Sequence, residues 1–148
     1  MVGERLEVDG PSGDFTWQAE PNPAAMLVGM GTGIAPLRAL IEAELARTSP
    51  TTLWLVAGHR APEDVLFAAD FARLARDHAR FRFVPTLTQG GRDWLGHHGR
   101  VQARLIEAVQ ALQPLDAYVC GRVDMVSEVV TTLLEHGVVP ARIRSEGF

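Results

Sequence analysis

One pattern recurs along the chain and constrains its fold more than any other feature: short apolar runs alternate with longer stretches of helical periodicity. The apolar runs predict strands at residues 25 to 28, 52 to 57, 81 to 87, 117 to 120 and 143 to 148. Apolar residues at helical spacing predict helices at about 35 to 47, 62 to 78, 101 to 112 and 124 to 136. Alternating strands and helices favour right-handed crossovers and a parallel sheet. We therefore predict an α/β fold, a doubly wound, five-stranded parallel sheet with helices on both faces.

Residues at the ends of these segments support their assignment. Pro36 suits the first turn of a helix, where a missing N–H costs nothing. Gly137 is suited to cap the last helix, and Pro140 lies just beyond it. The polar, glycine-rich stretch 88 to 99 is predicted to be a loop.

Composition narrows the class of protein. The 148 residues fit one domain, and 47% hydrophobic content is enough for a substantial core. The net charge is −4, and the 14 basic residues are scattered among 18 acidic ones, so no nucleic-acid partner is expected. The single Cys120 excludes an internal disulfide and a multi-cysteine metal site within this chain, and it fits a cytoplasmic location. No apolar run reaches the roughly 18 residues of a spanning helix, so no membrane association is expected.

The first 24 residues differ from the rest. Glu4, Leu6 and Val8 belong to a run that alternates like a half-exposed strand, and a turn signal follows at residues 10 to 13. Asn22 and Pro23 then read as a linker. We therefore divide the chain into residues 1 to 24, the end of another structural unit plus a linker, and residues 25 to 148, the α/β domain.

Residues 27 to 36 read LVGMGTGIAP and place Gly29, Gly31 and Gly33 where the first strand passes to the first helix. In an open parallel sheet, ligands bind beyond the carboxyl ends of the strands, and a helix N-terminus there offers free N–H groups to a phosphate. Glycine would let a pyrophosphate approach the backbone without meeting a Cβ atom. The alternative is a tight turn with close packing of helix on strand, and composition alone does not decide between the two.

Two familiar phosphate loops do not match this turn. A P-loop would end in Gly-Lys-Ser or Gly-Lys-Thr, which is missing here. The third glycine comes one residue earlier than in the usual dinucleotide fingerprint, and no acidic residue ends the second predicted strand. The turn is therefore of another type.

The turn Gly-Met-Gly-Thr-Gly-Ile-Ala-Pro at residues 29 to 36 resembles the Gly-x-Gly-Thr-Gly-x-Ala-Pro turn of the ferredoxin–NADP reductase superfamily. These enzymes are flavin-dependent reductases that pass electrons between a nicotinamide and one-electron carriers. Further stretches resemble the family in the same order: Gly58-His59-Arg60 with Asp64-Val65-Leu66-Phe67, Trp94-Leu95-Gly96 with Gly99-Arg100-Val101, Tyr118-Val119-Cys120-Gly121 with Met125-Val126, and Glu146-Gly147-Phe148. Together they span nearly the whole segment from Ala24 to the end.

The resemblance implies what the chain binds and what accompanies it. Residues 10 to 15, Gly-Pro-Ser-Gly-Asp-Phe, resemble the Gly-Pro-x-Gly-x-Phe that closes the family's flavin-binding barrel. The family's Arg-x-Tyr-Ser segment, which holds the flavin, is missing from this sequence. The chain therefore resembles the half that binds NAD(P)H and passes hydride to FAD held by a separate barrel domain, and alone it is expected to be inactive. The implied electron acceptor is a protein such as a ferredoxin or an oxygenase component.

Two other functions stay open at this point. One is a nucleotide-binding sensor or regulatory module with the same fold but no catalysis, because the flavin site is missing. The other is a different α/β enzyme whose substrate phosphate occupies the glycine turn. The first of these is the stronger alternative.

The resemblance also implies roles for individual residues. Thr32, Cys120 and Glu146 would lie at the reacting end of the cofactor. The residues that would contact the nucleotide are Gly29, Gly31, Thr32, Gly33, Arg60, Cys120, Gly121, Arg122 and Met125. From sequence alone, Thr32 could also be an ordinary helix N-terminal threonine and Cys120 a buried free cysteine.

Three details of the site stay open. Arg60, with His59 beside it, could neutralise the 2′-phosphate of NADPH, and Arg92 is a second candidate, so the cofactor is left as NAD(P)H. The family usually has proline after its Cys-Gly pair, whereas this chain has Arg122, which leaves the turn freer and adds a cation. The group Asp93, His97 and His98 is read as a solvated loop, and no metal is expected.

Overall fold

A computed structural model describes residues 3–5, 7–10, 12–17 and 23–148 of the chain. Within these described ranges there are six strands: β1 (Ala24–Met30), β2 (Thr52–His59), β3 (Phe81–Leu87), β4 (His97–His98), β5 (Asp116–Gly121) and β6 (Ile143–Gly147). Four α-helices lie between them: α1 (Ile34–Leu45), α2 (Ala68–Asp77), α3 (Gln102–Leu112) and α4 (Val123–Glu135). Short 3₁₀ turns cover Gly31–Gly33, Pro62–Asp64 and Pro140–Arg142.

The strands form one sheet in the order β4-β3-β2-β1-β5-β6, and every pair in it is parallel. The chain builds outward from β1 to one edge and then crosses back to add β5 and β6 on the other side of β1. This confirms the doubly wound α/β fold. The strand order reverses between β1 and β5, which is where such sheets place their ligands.

The strand count differs from the predicted five because the loop at 88 to 99 contains β4. His97 and His98 pair with Thr86 and Leu87 of β3. A strand of two residues is too short to show any alternation of apolar and polar residues, so periodicity cannot detect it.

Alternation along the strands creates two cores. On β1, Met26 and Val28 face one side, where they pack with α3 and α4. Ala25 and Leu27 face the other side, where they pack with α1 and α2. All four side chains are almost fully buried, which explains why the central strand is apolar at consecutive positions. Helices therefore cover both faces of the sheet, as predicted.

The predicted start of the second helix, at residue 62, is wrong. Residues Pro62–Asp64 form a separate 3₁₀ turn, closed by a hydrogen bond of 3.1 Å from the Ala61 amide to Asp64 Oδ2. Phe67 then has a left-handed backbone with φ of 55°, so a helix cannot run through it, and α2 begins at Ala68. The other predicted elements agree with the structure to within a few residues.

The described residues ahead of β1 form no strand, so the strand predicted around Glu4 and Val8 is not seen among them. A single extended segment needs a neighbour for its backbone hydrogen bonds. Leu6, Pro11 and Asn22, which belong to the predicted strand, turn and linker, lie outside the described residues.

Two aromatic residues attach the N-terminal segment to the sheet. The Trp17 ring stacks on Tyr118 of β5 with centroids 5.0 Å apart and planes 7° apart. Phe15 meets the same Tyr118 ring edge-on at 6.1 Å.

Among the described residues, none of the helices has the length and apolar character that crossing a bilayer would require.

Candidate functional site

A cavity of about 360 Å³ opens at the carboxyl ends of the strands, on the face covered by α3 and α4. It spans the ends of β1, β2, β3 and β5, and so includes the place where the strand order reverses. Its lining residues are Met30, Gly58, His59, Arg60, Thr88, Gln89, Gly99, Arg100, Val101, Gln102, Arg122, Asp124, Met125 and Glu128. The cavity is therefore the first candidate for a ligand site in this fold.

The floor of the cavity is apolar and closely packed against glycine backbone. A Cβ atom on Gly58 would lie 2.7 Å from the Val101 side chain. A Cβ atom on Gly121 would lie 2.8 Å from Met125 and 3.2 Å from Met30. These two positions need glycine so that Met30, Val101 and Met125 can come together as a floor.

Arginines with different partners stand on the rim. Arg60 donates from Nε to Gln89 Oε1 at 3.0 Å, and no carboxylate of the described residues lies within ion-pair distance of it. Arg100 lies 3.7 Å from the Glu128 carboxylate. Glu128 also accepts a hydrogen bond of 2.6 Å from Gln102. Arg60 is thus the cavity arginine whose charge is least compensated by the protein.

Arg122 and Asp124 form a tight pair at the start of α4. Arg122 donates from Nη2 to Asp124 Oδ2 at 2.6 Å and from Nε to Oδ1 at 3.1 Å. Asp124 Oδ1 also accepts from the Met125 amide at 2.9 Å. The hydrogen bond from Arg122 lowers the pKa of Asp124, so this carboxyl is ionised at neutral pH.

The three glycines of the turn after β1 have different surroundings. A Cβ atom on Gly33 would lie 2.3 Å from the Cys120 carbonyl oxygen, and one on Gly29 would lie 2.6 Å from Leu37. Gly31 has a φ of 54°, and none of the described residues beyond its chain neighbours puts a heavy atom within 4 Å of the place where its Cβ would be. The packing alternative therefore accounts for Gly29 and Gly33, while the backbone at Gly31 stays open to a ligand.

Two of the three residues expected at the reacting end, Cys120 and Glu146, meet at the ends of β5 and β6. Cys120 is fully buried, and Glu146 is its partner in the parallel register. Burial raises the pKa of the Cys120 thiol to about 11, and the Glu146 carboxylate adds to that shift. The thiol is therefore protonated at neutral pH, which excludes a nucleophilic role. Thr32 is exposed beside Gly31, on the turn that leads to α1.

The two other residues weighed for the 2′-phosphate lie in different surroundings. His59 is 8% exposed, its buried Nε2 has no hydrogen-bond partner among the described residues, and burial lowers the pKa of the ring. It is therefore neutral at neutral pH and brings no charge to a phosphate. Arg92 is exposed on the loop after β3 and is not part of the cavity lining.

Sequence reasoning missed several polar residues of the cavity: Thr88, Gln89, Arg100, Gln102, Asp124 and Glu128. Thr88 and Gln89 directly follow β3, so the rule that ligands meet strand ends could have indicated them. Gln102 and Glu128 lie on helices, where one polar position looks like any other exposed one.

Among the described residues, no group of three or more acidic, His or Cys side chains is placed to hold a metal ion.

Comparison with known proteins decides the family. The model of the oxidoreductase NAD-binding domain matches residues 27–131. The chain belongs to this family. The NAD-binding domain is also 34% identical to ferredoxin–NADP reductase B of Sorangium cellulosum over 133 residues, which are 86% of this chain and 54% of that protein. It is 32% identical to the reductase subunit of an aromatic O-demethylase from Amycolatopsis, across 99% of this chain and 45% of that protein.

Solved structures agree with this assignment. The crystal structure of a cytochrome P450 reductase from Amycolatopsis superposes with a TM-score of 0.84 at 31% identity, over 94% of this chain and 42% of that one. A ferredoxin–NADP⁺ reductase from Neisseria gonorrhoeae, solved with FAD and NADP bound, gives 0.71 at 25% identity over 85% of this chain and 56% of that one. The family and these structures confirm an NAD(P)-binding domain of the ferredoxin–NADP reductase superfamily. The chain spans about half the length of the curated relatives described above.

Proposed function

We propose that this NAD-binding domain holds NAD(P)H and presents its nicotinamide to FAD carried by a flavin-binding β-barrel, as part of a reductase that passes electrons to an acceptor protein. The observation that carries the proposal is the cavity at the switch between β1 and β5, with its apolar floor and its arginine rim. An apolar floor suits an aromatic base, and Arg60, the rim arginine with a neutral partner, suits a phosphate. The names of the relatives, a ferredoxin reductase and the reductase subunit of a demethylase, support an acceptor such as a ferredoxin or an oxygenase component.

Three groups of residues would bind three parts of the nucleotide. The open backbone of Gly31 and the exposed Thr32 would receive the diphosphate at the start of α1. The adenosine half would enter the cavity over α3 and α4, toward Arg60. The nicotinamide would lie toward the ends of β5 and β6, near Cys120 and Glu146, where the buried, protonated thiol is no nucleophile.

The redox chemistry, acceptance of a hydride and release of electrons to the acceptor, would be supplied by FAD bound to the barrel domain. The residues of this chain bind and orient the nicotinamide for that transfer. In our proposal, residues 1 to 24 are the end of the barrel plus a linker, and residues 25 to 148 are the nucleotide-binding part. The contact of Trp17 with Tyr118 supports this arrangement, because it attaches the first part directly to the strand that carries Cys120.

The proposed function makes a direct prediction about colour and activity. We expect the purified chain to be colourless and to bind NAD(P)H without reducing an artificial dye. The protein extended by the sequence encoded ahead of Met1 should be yellow and should oxidise NAD(P)H in the presence of the same dye. The measurement is a visible spectrum with a dye-reduction assay. An upstream sequence that encodes no flavin-binding barrel would contradict the reductase and favour a nucleotide sensor.

Arg60 makes a second prediction, on nucleotide choice. Its charge has no carboxylate partner among the described residues, and Gln89 fixes only its Nε, so the two terminal nitrogens are free to hold a phosphate. We expect NADPH to bind more tightly than NADH, and Arg60→Ala to weaken NADPH roughly tenfold while changing NADH little. Calorimetric titration of both nucleotides measures this.

Arg92→Ala is the matched control, because Arg92 is a nearby exposed arginine outside the cavity. It should leave both affinities unchanged. An Arg60→Ala variant that weakens NADH and NADPH equally would show that Arg60 does not read the 2′-phosphate.

A further inference from the structure

Arg122 occupies the turn between β5 and α4, where the family usually has proline. Its two hydrogen bonds to Asp124, of 2.6 and 3.1 Å, engage one edge of the guanidinium through Nη2 and Nε. The side chain remains 69% exposed. Because the bonds lie along an edge, Asp124 does not cover the flat faces of the guanidinium, and a planar group can stack in a way that lysine cannot.

The pair is poorly suited to bind a phosphate. The Asp124 carboxylate compensates the charge of Arg122 and is itself exposed at the same rim. An approaching phosphate would therefore meet a carboxylate next to the cation. Arg60, with a neutral partner, has no such neighbour within ion-pair distance among the described residues. The cavity rim therefore carries two different groups. The Arg122–Asp124 pair is flat and has no net charge, whereas Arg60 is a cation paired with a neutral amide.

The surface beside the pair is apolar. Gly121, directly ahead of Arg122, has Met125 and Met30 against its backbone, at 2.8 and 3.2 Å from where a Cβ would lie. Met30, Met125 and Val101 thus form the floor next to the planar pair. A flat, uncharged aromatic ring fits a place with sulfur-containing side chains on one side and a guanidinium face on another.

We propose that the Arg122–Asp124 pair is a stacking platform for the adenine base of the bound dinucleotide. The inference rests on the proposed function, which puts the adenosine half in this cavity. It assigns Arg122 to the base and Arg60 to the 2′-phosphate, so the two arginines carry different parts of the recognition. Arg122 then contributes equally to NADH and NADPH, because both contain the same base.

Variants of the complete chain test this by calorimetric titration with NADH, NADPH and ADP-ribose, which lacks nicotinamide. We expect Arg122→Ala to weaken all three about five- to tenfold and to leave the ratio of NADPH to NADH affinity unchanged. Arg122→Lys should behave like Arg122→Ala, since it keeps the charge and loses the plane. Arg73→Ala is the control, because Arg73 is an exposed arginine that pairs with Asp77 on α2, away from the cavity.

Three results would overturn the stacking role. Full binding by Arg122→Lys would mean that charge alone matters. A loss confined to NADPH would assign Arg122 to the 2′-phosphate. Unchanged ADP-ribose binding with weakened NADH would place Arg122 at the nicotinamide. If the wild-type chain bound none of the three ligands, the proposed function itself would fail, which is a different outcome from wild-type binding that Arg122→Ala leaves intact.

Discussion

Replacing Gly33 with alanine is expected to cost the domain about 3 kcal/mol or more of its free energy of unfolding. The added Cβ would lie 2.3 Å from the Cys120 carbonyl oxygen, 2.5 Å from its carbon and 2.7 Å from the Gly121 amide nitrogen. All three atoms belong to the backbone of β5, so no side chain can rotate away to make room. The start of α1 and the end of β5 would have to move apart, at the place where the proposed nucleotide binds.

The result is measured as a shift in the thermal or urea midpoint, and a loss of 3 kcal/mol corresponds to roughly 10 °C for a domain of this size. Gly31→Ala is the matched control in the same turn. Its Cβ would meet no atom within 4 Å in the part of the chain that the structure describes, and the left-handed φ of 54° opposes it, so we expect a loss of about 1 kcal/mol. Equal stability of Gly33→Ala and wild type would contradict the close packing of this turn on β5.

The different roles of Gly31 and Gly33 could not be predicted from the sequence. The pattern around Gly31 and Gly33 predicts a tight turn at a strand end, and the structure has one there. Which glycine makes room for a ligand and which makes room for β5 depends on Cys120, a residue far along the chain. No local pattern contains that contact, so the two interpretations could be separated only by the fold.

The centre of the sheet was predictable because β1, β2, β3 and β5 are mostly apolar and the helices have one apolar face. The predictions failed where a local backbone conformation decided the outcome: the left-handed Phe67 delays α2, and the two-residue β4 lies within a predicted loop. The pairings on the cavity rim were equally hidden. Arg60, Arg100 and Arg122 look alike in the sequence, yet their partners differ. Arg60 donates to the amide of Gln89, Arg100 lies 3.7 Å from the Glu128 carboxylate, and Arg122 makes two hydrogen bonds to Asp124.

The link between α1, β2 and β3 depends on another arginine whose role the sequence does not reveal. Arg80, just ahead of β3, donates to the carbonyl oxygens of Glu44 at 2.6 Å, Thr51 at 3.0 Å and Arg47 at 3.3 Å. It also lies 3.9 Å from the Glu44 carboxylate, which is only 3% exposed. One guanidinium thus satisfies carbonyl groups at the end of α1 and ahead of β2, and it faces a buried negative charge.

Arg80→Ala should therefore destabilise the domain by about 2–4 kcal/mol, since it removes a donor from three carbonyl groups and leaves the Glu44 carboxylate, among the described residues, with the exposed Arg47 at 3.7 Å. Chemical unfolding measures the loss, and Arg76→Ala is the control, because Arg76 is 73% exposed and its pairing with Asp77 should contribute less than about 0.5 kcal/mol. Adding Glu44→Gln to Arg80→Ala should recover part of the loss, because the buried charge is then removed together with its partner. If Arg80→Ala cost no more stability than Arg76→Ala, the Arg80 guanidinium would not be what joins these elements. A double variant less stable than Arg80→Ala would show that Glu44 is stabilised by groups other than Arg80.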